Sequence, residues 1–317
     1  MRTIEQALEV QADAAAHKVQ GLQNPVRFTV SGMLGGAYVG IAVVLMLNVA
    51  GPLIAAETGM GKLVSGLVFG VALTLVVFAG AELVTSSMMT LTQGTLMRAI
   101  RPGPALGALS FTFVANLLGA AVFGTLVAVS GVLHANPAAG TMLQDMLAAK
   151  AGESPAELFV RGILCNTLVC LGIWMCARLT SDAAKLAVLF WALLAFVASG
   201  FEHVVANMTT YSLGLMTGDP NATWALFGSN ILWVGLGNLV GGAIVVGAAY
   251  WVIGGSPRVA SVAELPDAEP LVVRTRTAVQ PVVVPESGRS ATGTIQLRSA
   301  NRRRSGQRPS TTPTRRS

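Results

Sequence analysis

Histidine is scarce in this chain, 3 residues in 317, and one of them, His203, stands beside Glu202 in a stretch otherwise free of charge from Leu186 to Gly218. An imidazole in such surroundings can pair with an anion, or give it a proton so that a neutral acid crosses the apolar part. Either route offsets the cost of stripping water from the anion, about several kcal/mol per ion. The plainer role for a buried histidine is a hydrogen-bonded structural one, but ionisable groups at this depth are rare and often functional. Glu202 reads differently, because a carboxylate facing an anion path repels its substrate. It is assigned to holding helix ends and orienting neighbours, and Glu82, which interrupts the uncharged stretch Leu63–Met97, takes the same role. Asn166 and Asn207 are the expected partners of this polar network, since amides offer donors and acceptors without charge.

Two other chemistries compete. Glu202 and His203 could act as acid and base in an intramembrane enzyme, but neither a Gly-x-Ser-x-Gly nor a His-Glu-x-x-His pattern occurs. A neutral-solute channel of the aquaporin type predicts flux independent of pH and paired Asn-Pro-Ala triplets at the breaks. One triplet occurs, Asn136-Pro137-Ala138, and it is expected in a loop. Cys165, Cys170 and Cys176 share one apolar run, which suggests packing and neither a disulfide framework nor a metal site. No cofactor is expected.

These residues need elements to hold them. Hydrophobic residues make up 53% of the chain and charged ones 11%, too few charges to cover a water-soluble surface. Apolar runs place spanning helices near 30–50, 105–132 and 226–253, with a shorter one from Gly162 to Ala177. Two further runs break at polar residues: Thr85, Ser86 and Ser87 in the first, Asn207, Thr209 and Thr210 in the second. Backbone leaves a helix inside a membrane only where it lines a cavity, so both are read as discontinuous helices.

The halves repeat. Val30-Ser-Gly-Met-Leu matches Val160-Arg-Gly-Ile-Leu, Gly80-Ala-Glu matches Gly200-Phe-Glu, and Asn116-Leu-Leu-Gly matches Asn238-Leu-Val-Gly, at offsets of 130, 120 and 122 residues. The expected fold is an all-α membrane protein of six transmembrane helices in two inverted three-helix repeats, helices 2 and 5 broken, with an aquaporin-like architecture. Residues 1–28 form an amphipathic N-terminal helix that Thr3 and Gln6 would cap, residues 29–254 the membrane domain, and residues 255–317 a disordered Arg-rich tail.

The net charge of +6 divides unevenly: 11 arginines against 4 acidic residues after Gly254 give the tail +7, and the remaining 10 basic and 11 acidic groups leave the body at −1. Basic charge is therefore no sign of nucleic acid here. It marks orientation, with both termini cytoplasmic, and a tail suited to anionic lipid of the bilayer.

Gly80-Ala-Glu-Leu-Val-Thr-Ser, Arg161-Gly-Ile-Leu-Cys-Asn-Thr-Leu-Val-Cys-Leu and Ala198-Ser-Gly-Phe-Glu-His-Val-Val-Ala-Asn-Met together resemble the formate/nitrite transporter family over about residues 1–253. Ala206-Asn-Met-Thr and Asn230-Ile-Leu-Trp-Val-Gly-Leu-Gly-Asn are more similar to the nitrite branch. The resemblance implies a homopentamer in a bacterial-type inner membrane, each subunit passing nitrite with a proton; formate or hydrosulfide is the alternative. It implies that His203 is the central pore histidine, that Thr85 faces it from a mobile gate, and that Lys150 attracts anions in an outer vestibule. Phe69, Leu73, Val169 and Phe196 would form the apolar constriction, and Val84 an inner one. Val84 stands where relatives often carry Phe, which implies a wider inner opening. Read from the sequence without the resemblance, Lys150 is a solvated loop lysine.

Overall fold

In the computed structural model, residues 1–259 are described. The expected disorder of the Arg-rich tail therefore lies almost entirely outside the described residues. The chain opens with α1 (Ile4–Gly21), whose capping box forms as its sequence predicts, with Thr3 Oγ1 accepting from the Gln6 amide and the Gln6 side chain accepting from the Thr3 amide. Leu8 and Ala15 are fully buried, so the apolar face of α1 packs against the body of the same chain. Pro25 does not merely end this helix. It occupies the first turn of α2 (Pro25–Ala55), capped by Asn24, so residues 25–28 belong to the first long membrane helix instead of the N-terminal segment.

After α2 come α3 (Gly61–Gly80), α4 (Val84–Leu96), α5 (Pro102–Ser130), α6 (Pro137–Gly152), α7 (Pro155–Arg178), α8 (Asp182–Ala198), α9 (Val204–Thr217) and α10 (Trp224–Ile253). Five of these, α2, α3, α5, α7 and α10, are long and apolar enough to cross a membrane. This is a multi-pass, all-helical membrane protein. Large apolar side chains such as Leu106, Leu126, Val129 and Trp191 stand exposed on its outside, as a bilayer or a neighbouring subunit requires. The segment around Asn136 is not a loop: the Asn136 carbonyl oxygen caps the Ala139 amide and Pro137 opens α6. That helix was hidden in the sequence because it is short and Ala-rich, with no amphipathic period.

Both breaks are built the same way. Gly80 and Gly200 close α3 and α8 at φ of 79° and 73°, the left-handed region that only glycine enters freely. The chain then runs extended for three residues before α4 and α9 begin. The Asn116 side chain accepts from the Val84 amide (2.8 Å) and donates to the Gly32 and Glu82 carbonyls (2.7 and 2.8 Å). Asn238 does the same with the Val204 amide (2.9 Å) and the Gly162 and Glu202 carbonyls (2.8 and 3.0 Å). One amide thus satisfies two backbone groups that the break leaves without helical partners, an N–H and a C=O, and ties them to a carbonyl of the neighbouring long helix.

The helices carrying these asparagines lie close to their partners. α5 packs on α2, and α10 on α7. A Cβ at Gly119 would collide with the Met33 carbonyl, and one at Gly237 with the Phe159 carbonyl. These two glycines therefore serve crossings inside the chain. Gly119→Ala is expected to cost about 1–3 kcal/mol, because backbone on the other side cannot yield. Thermal unfolding in detergent checks this, and an unchanged midpoint would show that the crossing relaxes freely.

Candidate functional site

His203 sits where the second break turns into α9, and it is the N-cap of that helix. Its Nδ1 accepts the Ala206 amide at 3.2 Å, so in the neutral ring the single proton must be on Nε2. Nε2 in turn lies 3.1 Å from Thr85 Oγ1, at the start of α4 on the first break. With Nδ1 held as an acceptor, Nε2–H donates and the threonine oxygen accepts. The hydroxyl hydrogen of Thr85 is then left to donate elsewhere. Phe196 stacks on the imidazole at 6.0 Å and 25°, fixing the ring plane. His203 is 5% exposed and Thr85 fully buried, so the pair is shielded from bulk water.

Two cavities meet at this histidine. The larger, about 350 Å³, is reached past Lys62, Lys150 and Arg161 and ends on Phe69, Phe196 and His203. The smaller, about 10 Å³, is enclosed by Phe69, Leu73, Leu83, Val169, Phe196 and His203. The Phe69 and Phe196 rings, 5.6 Å apart edge to face, stand between the two. All four expected constriction residues other than Val84 therefore converge on His203. Val84, expected in a separate inner constriction, is fully buried with its amide bonded to Asn116 and does not line this cavity, whereas Leu83 does.

Lys150 is not a solvated lysine. It is 9% exposed, and its Nζ lies 2.6 Å from both carboxylate oxygens of Glu202. The reason is α6, which lays its last turn over the second break. Glu202 Oε2 also accepts from Asn207 at 2.6 Å, and Asn207 donates to Asn230 at 2.7 Å. Glu202 thus joins α6 to α9 through its side chain and α7 to α10 through its backbone. Glu82 has a matching arrangement on the other break: its carboxylate pairs with Lys18 of α1. Both carboxylates bridge neighbouring helices, and each has a lysine that the sequence did not point to as its partner.

Asn166 donates to the Thr85 carbonyl at 3.1 Å and to the Asn238 carbonyl at 2.7 Å, tying α7 to the start of α4. Asn207 does not reach Thr85; it belongs to the Glu202 group. Residues that sequence reasoning missed are Leu83, Asn116, Asn230, Asn238, Lys18, Glu153 and Arg161. Asn116 and Asn238 did carry a signal, since both lie in the repeated Asn-Leu-x-Gly motif. Glu153 pairs with Arg161 beside the larger cavity. Burial, and then the Glu202 carboxylate, push the Glu153 carboxyl above its usual range, while Lys150 and Arg161 pull it down.

Among the described residues no group of three or more His, Cys, Asp or Glu side chains is placed to hold a metal ion. Glu202 is occupied by Lys150 and Asn207, and the two ring nitrogens of His203 by Thr85 and Ala206. The arrangement can therefore present one N–H or O–H hydrogen to the apolar constriction.

Residues 5–252 match the family model described as formate/nitrite transporter. The chain is 40% identical over 241 residues to the nitrite transporter NirC of Escherichia coli K12, covering 76% of this chain and 88% of that one. It is 30% identical over 264 residues to the formate channel FocA of the same organism, covering 77% and 92%. Among solved structures it is similar to an FNT family ion channel, with a TM-score of 0.71, 36% identity, and 78% of this chain and 98% of the other covered. A pentameric formate channel with formate bound gives a TM-score of 0.64 at 27% identity, covering 73% and 98%.

Proposed function

The chain belongs to the formate/nitrite transporter family, and from that membership we propose that it is a homopentameric channel passing nitrite, a small weak-acid anion, together with a proton. It is not an enzyme on this reading. Each subunit crosses an inner membrane six times in two inverted halves, with both termini cytoplasmic. The broken pair α8 and α9 makes the crossing that corresponds to α3 and α4. Nitrite is favoured over formate because the NirC relative is 40% identical and the FocA relative 30%.

The observation that carries the reading is the forced tautomer of His203 at the junction of the two cavities. An anion in the larger cavity reaches the Phe69–Phe196 gap and must lose water to go further. His203 Nε2–H, relayed through Thr85 Oγ1, supplies the hydrogen bond that the anion needs there. The proton follows when the ring has first taken one up from the water-filled cavity, so that an imidazolium gives up one proton and the neutral ring remains. As the neutral acid the substrate crosses the apolar ring at little cost and gives the proton up beyond it. With that proton gone the ring is neutral again, and Nδ1 accepts once more from the Ala206 amide. Asn166 and Asn238 hold the two breaks in register, which keeps Thr85 opposite His203.

Liposomes containing the purified protein test this with nitrite, formate, acetate and hydrosulfide across the pH range. Nitrite flux is expected to exceed the others and to rise toward acid pH. Formate flux above nitrite flux would overturn the substrate assignment, and flux indifferent to pH would overturn the proton linkage.

A further inference from the structure

Three cations line the larger cavity, and two of them are already taken. Lys150 is held by Glu202 and Arg161 by Glu153, so each of these charges is largely cancelled at close range. The third, Lys62, is exposed at the start of α3 and, among the described residues, belongs to none of the ion pairs. Glu57, the acidic residue closest to it in the chain, lies in the preceding loop and is likewise unpaired with it. The first turn of α3 adds to the positive field, because Met60 supplies no side-chain cap and the turn's amides point out at that end.

We propose that Lys62 is the residue that captures the anion at the mouth of the larger cavity, and that the buried Lys150, bound to Glu202, does not perform this task. The inference rests on the anion-channel reading and sharpens it by separating two lysines of one cavity. Capture by a flexible, hydrated ammonium is a long-range effect: it raises the local anion concentration without a fixed binding geometry. It must therefore weaken as added salt shortens the screening length. A structural role, such as that of Lys150, is insensitive to salt because its pair is buried.

The test compares wild type with Lys62→Gln, Lys62→Glu and Lys62→Arg in liposomes, using nitrite, formate and hydrosulfide as probes at low and high ionic strength. At roughly 10 mM ionic strength, Lys62→Gln is expected to lower initial influx from the cavity side about threefold and Lys62→Glu further, with Lys62→Arg near wild type. At about 1 M salt the four proteins are expected to converge. Equal influx by wild type and Lys62→Gln at low salt overturns the inference, as does a loss that persists at high salt. Wild-type protein that passes none of the three anions overturns the channel reading itself, so the two failures are distinguishable.

Discussion

His203→Asn is expected to remove the acid stimulation of anion flux and to leave the assembled oligomer intact. Asparagine is among the best N-cap residues, so its side-chain oxygen can take the Ala206 amide in place of Nδ1 and α9 keeps its start. What is lost is the one side chain at this point that can take up a proton and release it. Transfer by a positioned acid–base group contributes about a hundredfold or more to a rate, and a drop of at least about tenfold in nitrite flux at acid pH is a conservative expectation. Flux across pH in liposomes, alongside size-exclusion profiles, measures both halves of the statement. A variant that keeps the wild-type pH profile removes the protonation step from the mechanism.

The second large effect concerns the ion pair beside it. Lys150→Met leaves the Glu202 carboxylate buried with only Asn207 as a side-chain partner, and uncompensated buried charges of this kind cost about 3–5 kcal/mol. Adding Glu202→Gln to Lys150→Met removes that charge and is expected to restore more than half of the lost stability. Thermal unfolding in detergent reads both outcomes. If Lys150→Met melted as wild type, the pair would contribute nothing to holding α6 on the second break.

The helical, membrane-spanning character and the two breaks were legible from local facts. Uncharged runs of spanning length define helices, and an ionisable residue followed by turn-prone polar ones marks where they stop. The repeated motifs were also visible, but the job of Asn116 and Asn238 was not. Each satisfies backbone groups from segments dozens of residues away, and no periodicity reports that. The partners of Glu82 and Glu202 stayed hidden for the same reason. Lys18 is 64 positions from Glu82 and Lys150 is 52 from Glu202. Lys150 further depended on α6, whose even spread of Ala, Met and polar residues gives no face to detect.

The sequence by itself determined that this chain lives in a membrane, that its breaks carry Glu82, Thr85, Glu202 and His203, and that most of its basic charge lies after Gly254. Those properties are sums over neighbouring residues: transfer free energy, local turn preference and counted charge. Only the tertiary structure decided which nitrogen of His203 carries the proton, which lysines are neutralised by carboxylates, and that Leu83 lines the small apolar cavity beside His203. These depend on the meeting of two breaks from opposite halves of the chain, and on distances of about 3 Å within which a hydrogen bond or a buried charge changes the chemistry.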